Sequence, residues 1–167
     1  MKLTRHLAVG LLVLAIGVGA TLACIGHHET APDAAFTLMD GTPSRINKLQ
    51  GKVVLVSFWA TTCSICIKEM PQMIATHQKF SGRGFETLAV AMSYDPPVSV
   101  INFTESRKLP FTMVLDNTGS MAHSFGDVQA TPTSVLINKH GEIVKRYVGA
   151  PDFAALHKLV EALLIEA

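Results

Sequence analysis

Apolar and polar positions along the chain alternate between patterns typical of strands and of helices. Lys52–Trp59 and Phe85–Met92 are apolar runs without strict alternation, as expected for strands covered on both faces. From Cys63 to about Phe80 the apolar positions instead recur at helical spacing. The first half of the domain is therefore predicted to be strand, helix, strand.

The remaining segments complete a mixed sheet. Phe36–Leu38, a turn at Asp40-Gly41 and the return of the chain predict an N-terminal β-hairpin. The later expected elements are a helix at 98–108, a strand at 111–115, a small helix at 120–125, a hairpin from Thr133 to Gly149 and a C-terminal amphipathic helix. We expect one α/β domain over residues 36–167, with a central mixed sheet, helices on both faces and an N-terminal β-hairpin extension.

The N-terminus has the pattern of an export segment. Lys2 and Arg5 precede the 19-residue uncharged run Leu7–Ile25, so residues 1–25 are predicted to be a signal peptide or a membrane anchor. Ala23-Cys24 resembles a bacterial lipoprotein junction, with possible lipidation at Cys24. Cleavage, lipidation and retention as an anchor remain open. Residues 26–35 are interpreted as a linker, and the rest of the chain is expected on the periplasmic side of the inner membrane.

Length and charge narrow the classes of partner. A chain of 167 residues suits one domain with a real core. Without residues 1–23, 12 basic residues face 13 acidic ones, and no basic patch stands out. The composition therefore argues against a nucleic-acid partner.

Three cysteines are present, and two of them, Cys63 and Cys66, lie three apart. Such a pair can be a redox dithiol, half of a zinc site, or two core cysteines that have this spacing by chance. Structural zinc needs a second pair of ligands, but there is no second CxxC, and the only close histidine pair is His27-His28. A disulfide closing four residues also stabilises little, so a structural purpose is weak.

The position of the pair favours redox chemistry. A strand that runs straight into a helix puts Cys63 near the helix N-terminus, where the helix dipole favours a thiolate. Cys66 lies one turn further along the same face. Cys63 is therefore predicted to be the attacking thiol and Cys66 the resolving thiol.

The segment "FWATTCSICIKEMP" resembles the active site of the thioredoxin superfamily, and specifically its TlpA/ResA-like branch of exported thiol-disulfide oxidoreductases. The resemblance runs from about Pro32 to the C-terminus and includes "KEMP" and "ATPT". It implies a thioredoxin-like fold and exchange of a Cys63–Cys66 redox-active disulfide with protein substrates. No cofactor and no metal are expected.

The resemblance also implies roles for individual residues. Pro132 matches the cis-proline of the superfamily, and Thr131 would contact substrates beside Cys63. Glu69 matches an acid close to the dithiol that could move a proton, although a solvated helix glutamate is the alternative. Trp59 is expected beside the active site, and Thr131, Pro132 and Trp59 are the expected substrate-binding residues. Ser57 departs from the pattern, because thioredoxin has a buried aspartate at that place.

A further departure is Thr62, which stands where many relatives have a second tryptophan, so we expect a less apolar surface around Cys63.

The function expected from the resemblance is a monomeric reductase of the cytochrome c maturation or copper-site assembly type. Its substrates would be apocytochrome c or copper-site proteins, and a membrane thiol donor would supply electrons. One alternative is a thioredoxin-fold peroxidase, but Ala60 and Val56 occupy the places where that chemistry needs a threonine or serine and a proline. The other is a copper-binding assembly factor, which would need three residues between the cysteines rather than two.

Overall fold

The computed structural model describes residues 29–166. Within them, eight strands are Glu29–Thr30 (β1), Ala35–Thr37 (β2), Pro43–Arg45 (β3), Val53–Trp59 (β4), Phe85–Ala91 (β5), Thr112–Leu115 (β6), Thr133–Ile137 (β7) and Glu142–Val148 (β8). The α-helices are Ser64–Phe80 (α1), Pro97–Arg107 (α2), Ser120–Ser124 (α3) and Phe153–Ile165 (α4). Short 3-10 helices occupy Ile46–Leu49 and Ser81–Arg83.

Six strands form one mixed sheet in the order β1-β8-β7-β4-β5-β6. The pairs β4–β5 and β5–β6 are parallel, whereas β4–β7, β7–β8 and β1–β8 are antiparallel. All seven residues of β4 are buried, in agreement with its unbroken apolar run. The central strand of the sheet therefore ends, at Trp59, immediately before the cysteine pair.

Each face of the sheet has its own apolar cluster. On one face Leu55 belongs to the same cluster as Met73 of α1 and Leu156 of α4. On the other, Phe58 belongs to a cluster that includes Phe36 of the N-terminal hairpin and Met121 of α3. The expected mixed sheet with helices on both faces is confirmed.

The predicted N-terminal hairpin is also confirmed, as the two-stranded sheet β2–β3. Its turn uses Gly41 at φ 86, a left-handed conformation that glycine adopts without strain. The Asp40 side chain accepts a hydrogen bond from the Thr42 N–H at 2.8 Å. A single bridge between Leu38 and Val114 joins the hairpin to β6, so it covers one edge of the large sheet.

The linker predicted for residues 26–35 extends too far into the domain. Glu29–Thr30 form β1 and pair with β8, and Ala34 is buried. Asp33 binds Arg45 through a salt bridge of 2.8 Å. The polar composition of this segment indicated a tether. Its pairing with β8 could not be recognised locally, because the partner strand lies more than a hundred residues away in the sequence. From Glu29 onward, the chain is part of the fold.

The predicted export segment, Cys24 and His27-His28 lie outside the described residues. Within residues 29–166, no helix has both the length and the apolar composition that crossing a bilayer requires.

Candidate active site

The connection between β4 and α1 holds Cys63 at the start of the helix. The Cys63 N–H donates to the carbonyl of Ala60 at 3.1 Å, which closes a tight turn after the strand. Cys63 is extended (φ −84, ψ 104) and caps α1, and its Sγ accepts the N–H of Cys66 at 3.2 Å. A first-turn N–H without an acceptor inside the helix thus points at the sulfur. The same N–H and the helix dipole stabilise negative charge on that sulfur.

Cys63 and Cys66 form a disulfide, with their Cα atoms 5.3 Å apart. Cys66 is only 1% exposed, whereas Cys63 is half-buried. Ile65, between them, is 50% exposed. A thiol from another protein can therefore approach the Cys63 sulfur, while the Cys66 sulfur is shielded by the core.

A cis peptide bond joins Thr131 to Pro132, as the resemblance implied. Pro132 immediately precedes β7, whose first residue, Thr133, pairs with Phe58 of β4. The register puts Pro132 level with Trp59, at the end of the sheet where the chain leads into Cys63. The carbonyl of Pro132 accepts the Gly149 N–H at 2.8 Å, which anchors this loop to the end of β8.

Trp59 lies behind the dithiol rather than on the surface. Its side chain is 2% exposed and stacks obliquely on Phe103 of α2, with ring centroids 5.3 Å apart. It belongs to the same apolar cluster as Cys66. Its Nε1 is buried and has no hydrogen-bond partner in the described part of the chain. This burial leaves almost no surface for a substrate. The expected substrate contact by Trp59 is therefore wrong, and Trp59 instead packs in the core beneath the active site.

Glu69 is a buried carboxyl group one helical turn beyond Cys66. It is 6% exposed, and its Oε2 has no hydrogen-bond partner among residues 29–166. Burial raises the pKa of Glu69 from 4.5 to about 7, because desolvation penalises the charged form. Near neutral pH such a group can both accept and release a proton. The solvated alternative for Glu69 does not fit this burial.

Ser57 occupies the buried place where the superfamily pattern has an aspartate. It is 4% exposed, and its Oγ accepts a hydrogen bond from Ser134 Oγ at 3.0 Å. The pair joins β4 to β7 across the sheet and satisfies both hydroxyl groups in part. Ser57 carries no charge. The buried carboxyl group near the cysteines is instead Glu69, on the helix that carries them.

Sequence reasoning missed Asp95, which lies in the loop after β5. Its carboxylate is 3% exposed and accepts two hydrogen bonds from Thr61, from the backbone N–H at 2.5 Å and from Oγ1 at 2.6 Å. Its neighbour Tyr94 is 57% exposed and its hydroxyl lies 3.3 Å from Thr131 Oγ1. The turn sequence "SYDPP" marked this loop, but nothing local indicated which residues it would contact.

The dithiol is presented on a surface rather than in a small-molecule pocket. A cavity of about 620 Å³ lies between the N-terminal hairpin and β6, lined by residues that include Phe36, Val114 and Met121, and neither cysteine lines it. Among residues 29–166, no group of three or more His, Cys, Asp or Glu residues could hold a metal ion.

Comparison with known proteins agrees with this geometry. The family described as Redoxin matches residues 27–163. The thiol-disulfide oxidoreductase ResA of Bacillus subtilis is 31% identical over 168 residues, covering 94% of this chain and 93% of that protein. ResA of Halalkalibacterium halodurans is 32% identical over 139 residues, covering 83% and 78% respectively.

Solved structures share the fold. A thiol:disulfide interchange protein of the thioredoxin family from Chlorobium tepidum superposes with a TM-score of 0.75 at 25% identity, covering 83% of this chain and 98% of that one. The thioredoxin domain of a thiol-disulfide oxidoreductase from Bacteroides vulgatus gives a TM-score of 0.70 at 26% identity, covering 81% and 99%. The thioredoxin-like fold expected from the resemblance is confirmed.

Proposed function

The chain belongs to the redoxin family and is a thiol-disulfide oxidoreductase acting on protein dithiols and disulfides, and we propose that Cys63 and Cys66 are its redox couple, working in the reducing direction. One observation carries the assignment of the couple: Cys63 caps α1 and is half-buried, whereas its disulfide partner Cys66 is buried one turn behind it. This asymmetry separates an attacking thiol from a resolving one. The reducing direction rests on the resemblance to the TlpA/ResA-like branch.

The proposed reaction has two exchange steps. The Cys63 thiolate attacks one sulfur of a substrate disulfide, and the other substrate sulfur leaves as a thiolate. The Cys66 thiolate then attacks the Cys63 sulfur in the mixed disulfide, which frees the second substrate thiolate and forms the Cys63–Cys66 disulfide. Two electrons pass to the substrate. A thiol donor at the membrane would return the couple to the reduced state.

Glu69 is proposed to take the proton of the Cys66 thiol. A buried thiol must lose its proton before it can attack, and solvent has little access to Cys66. The pKa of Glu69 near 7 suits a proton acceptor at neutral pH, and no other carboxyl group lies within one turn of Cys66 on α1. Ser57 cannot take this role, because it is uncharged.

Substrate recognition is proposed to use the loop that contains Thr131 and Pro132. The cis bond and the position of Pro132 level with Trp59 support a strand-like approach of the substrate backbone beside Cys63. Thr62 is exposed and polar, but two large exposed side chains lie nearby: Ile65, between the cysteines in the first turn of α1, and Tyr94, in the loop after β5. These two side chains would supply part of the apolar contact that a tryptophan at position 62 supplies in relatives.

The proposed substrates are the oxidised CxxC of an apocytochrome c or of a copper-site assembly protein. The reduction potential of the couple tests the reducing direction, by equilibration of the protein with a graded series of glutathione or dithiothreitol buffers. A value close to −270 mV, the potential of thioredoxin, is expected for a reductase. A value close to −120 mV would instead make the protein a disulfide donor and overturn the proposed direction. Reduction of an oxidised CxxC peptide then tests the substrate class.

Residues 1–25 are proposed to export the protein to the periplasmic side of the inner membrane, cleaved, lipidated at Cys24 or retained as an anchor. The charge pattern of Lys2 and Arg5 before an uncharged run supports export. A reporter enzyme that is active only outside the cytoplasm should be active when fused to this segment. A silent fusion retained in the cytoplasm would contradict the proposal, and mass spectrometry of the mature N-terminus would distinguish the three fates.

A further inference from the structure

Asp95 is a buried carboxylate that the exchange reaction itself does not use. Its side chain is 3% exposed, and both oxygens accept hydrogen bonds from one residue, Thr61. A carboxylate that leaves water needs such compensation, because an unpaired buried charge is strongly destabilising. The partner of Asp95 needs an explanation, because Thr61 belongs to the loop of three residues between β4 and Cys63.

The backbone around Asp95 restricts its position. The Asp95 N–H donates to the carbonyl of Met92 at 2.9 Å, which closes a turn directly after β5. Pro96 and Pro97 follow, and α2 begins at Pro97. Proline restricts both its own φ and the conformation of the residue before it, so the backbone of Asp95 is restrained independently of its contact with Thr61.

Thr61 transmits this restraint to the active site. The backbone bond fixes the Thr61 main chain two residues before Cys63, and the hydroxyl bond fixes its side chain. Ala60, on the other side of Thr61, accepts the Cys63 N–H. Among residues 29–166, Asp95 is the side chain outside the turn that binds it through hydrogen bonds. The turn leads into Cys63, whose extended conformation brings its Sγ to the Cys66 N–H.

We propose that Asp95 is a positioning residue for the dithiol: through Thr61 it holds the loop 60–63 so that the sulfur of Cys63 stays over the first turn of α1. Loss of the anchor lets the loop move, and the Cys63 thiolate then loses part of its stabilisation by the helix N-terminus. The inference rests on the proposed role of Cys63 as the attacking thiol.

The alkylation rate of Cys63 against pH, in the reduced full chain, tests this inference. Modification by iodoacetamide is followed by mass spectrometry of the Cys63 peptide. Asp95→Asn removes the negative charge and one acceptor oxygen, so the two hydrogen bonds that Thr61 donates lose their charged acceptors. Thr61→Val removes only the hydroxyl bond and keeps the carboxylate, and Thr61→Ser should restore it. We expect both disruptive variants to move the midpoint upward by about 0.5–1 pH unit, which is a three- to tenfold lower rate at neutral pH.

The double variant sharpens the test. If Asp95 acts through Thr61, the shift in Asp95→Asn/Thr61→Val should not exceed the larger single shift by more than a small margin. Fully additive shifts would contradict action through Thr61. A midpoint that moves downward would mean that the carboxylate acts on Cys63 as a charge, and an unchanged midpoint would mean that it only stabilises the fold; either result overturns the proposal.

Asp116 offers a matched control. It is also 3% exposed and accepts two N–H bonds, from Met121 at 3.1 Å and from Ala122 at 2.9 Å, at the start of α3. Asp116→Asn should lower the melting temperature without moving the Cys63 midpoint. If Asp95→Asn does not fold, Thr61→Val still decides the question. Failure of wild-type Cys63 to exchange disulfides would instead refute the proposed function, so the two failures are distinguishable.

Discussion

Helix α1 buries polar side chains in both of its halves, but only those of the C-terminal half are fully partnered. Thr76 Oγ1 donates to the carbonyl of Gln72 at 2.7 Å and lies 2.8 Å from His157 Nε2. His77 Nδ1 lies 3.2 Å from Thr87 Oγ1 on β5. In the N-terminal half, Glu69 Oε2 has no partner in the part of the chain that the structure describes.

The difference separates stability from chemistry within one element. The hydrogen bonds of partnered polar groups offset the free-energy cost of removing those groups from water. A buried carboxyl group without a partner has a raised pKa and destabilises its own charged form. Under the role proposed for Glu69, its burial one helical turn from Cys66 places a proton acceptor near the thiol that must lose its proton. Substitution of the unpartnered Glu69 is therefore expected to cost less free energy of unfolding than substitution of a partnered polar residue in the C-terminal half.

The largest expected effect is on exchange, at the N-terminal end. Cys63→Ser should reduce insulin disulfides no faster than buffer, because the attacking thiolate is gone. Cys66→Ser should still attack but should accumulate mixed disulfides, since the resolving thiol is missing. The turbidity of precipitating insulin measures the reduction rate, and gel electrophoresis without reductant measures the mixed disulfides. Equal trapping by the two variants would contradict the assignment of roles.

Phe80→Ala probes the C-terminal end. Phe80 is fully buried and meets Phe85 and His157 edge-on, with centroids 5.9 and 5.3 Å away. We expect the free energy of unfolding to fall by about 3–5 kcal/mol, from lost transfer energy and the cavity left behind. Urea denaturation measures it. The alkylation profile of Cys63 should match wild type in the folded variant, and a shifted profile would show that the two ends are coupled.

Glu69→Gln should change how stability depends on pH. The folded-state pKa of about 7 lies above the unfolded value of 4.5, so the folded protein holds the proton more tightly. Wild-type stability is then expected to fall as pH rises from 4.5 to 7, by up to roughly 3 kcal/mol. Glu69→Gln should lack this fall. Urea denaturation of the oxidised protein isolates the effect, because neither cysteine titrates there.

The reduced protein gives a second measurement of Glu69. Removal of its negative charge should lower the pKa of the nearby thiols and move the alkylation profile of Cys63 to lower pH. Superimposable profiles for wild type and Glu69→Gln, together with equal exchange rates, would remove Glu69 from the mechanism. The Cys63–Cys66 couple would survive that result.

The smallest effect is expected from His77→Gln. Burial lowers the pKa of His77, and the charge of Glu86 offsets part of the shift. The unfolded chain therefore binds this proton first, and wild-type stability should fall as pH drops below 6.5. At pH 8 the variant should be about 1–2 kcal/mol less stable, since glutamine loses the edge-on ring contact with Phe111 and does not reproduce the geometry of the Thr87 hydrogen bond. That gap should narrow below pH 6.5; a constant gap would contradict the neutral state of His77.

The two pH effects have opposite signs along one helix. Glu69 favours the folded state at low pH, whereas His77 favours it at high pH. His157, which contacts the same half of α1 as His77, also has a pKa lowered by burial. The unfolding free energy of wild type, plotted against pH, contains both trends. Glu69→Gln and His77→Gln, measured singly, separate them.

Much of the fold could be predicted from local pattern. The apolar runs of β4 and β5, the turn at Gly41 and the amphipathic C-terminal helix all appear where the sequence placed them, within a residue or two. Period and turn chemistry depend on neighbouring residues, so they can be read from the chain itself. The pairing of β1 with β8 could not, because β1 is a polar segment of two residues and its partner strand lies more than a hundred residues away in the sequence.

The site divides in the same way. The sequence alone determined the Cys63–Cys66 spacing, the helix start that caps at Cys63 and, through resemblance, the cis bond before Pro132. Only the tertiary structure decided that Trp59 and Glu69 are buried and that Asp95 meets Thr61 across 34 positions. Capping and spacing are properties of consecutive residues. Burial and long-range hydrogen bonds depend on which loops the sheet brings together, and that is set by the packing of the whole domain.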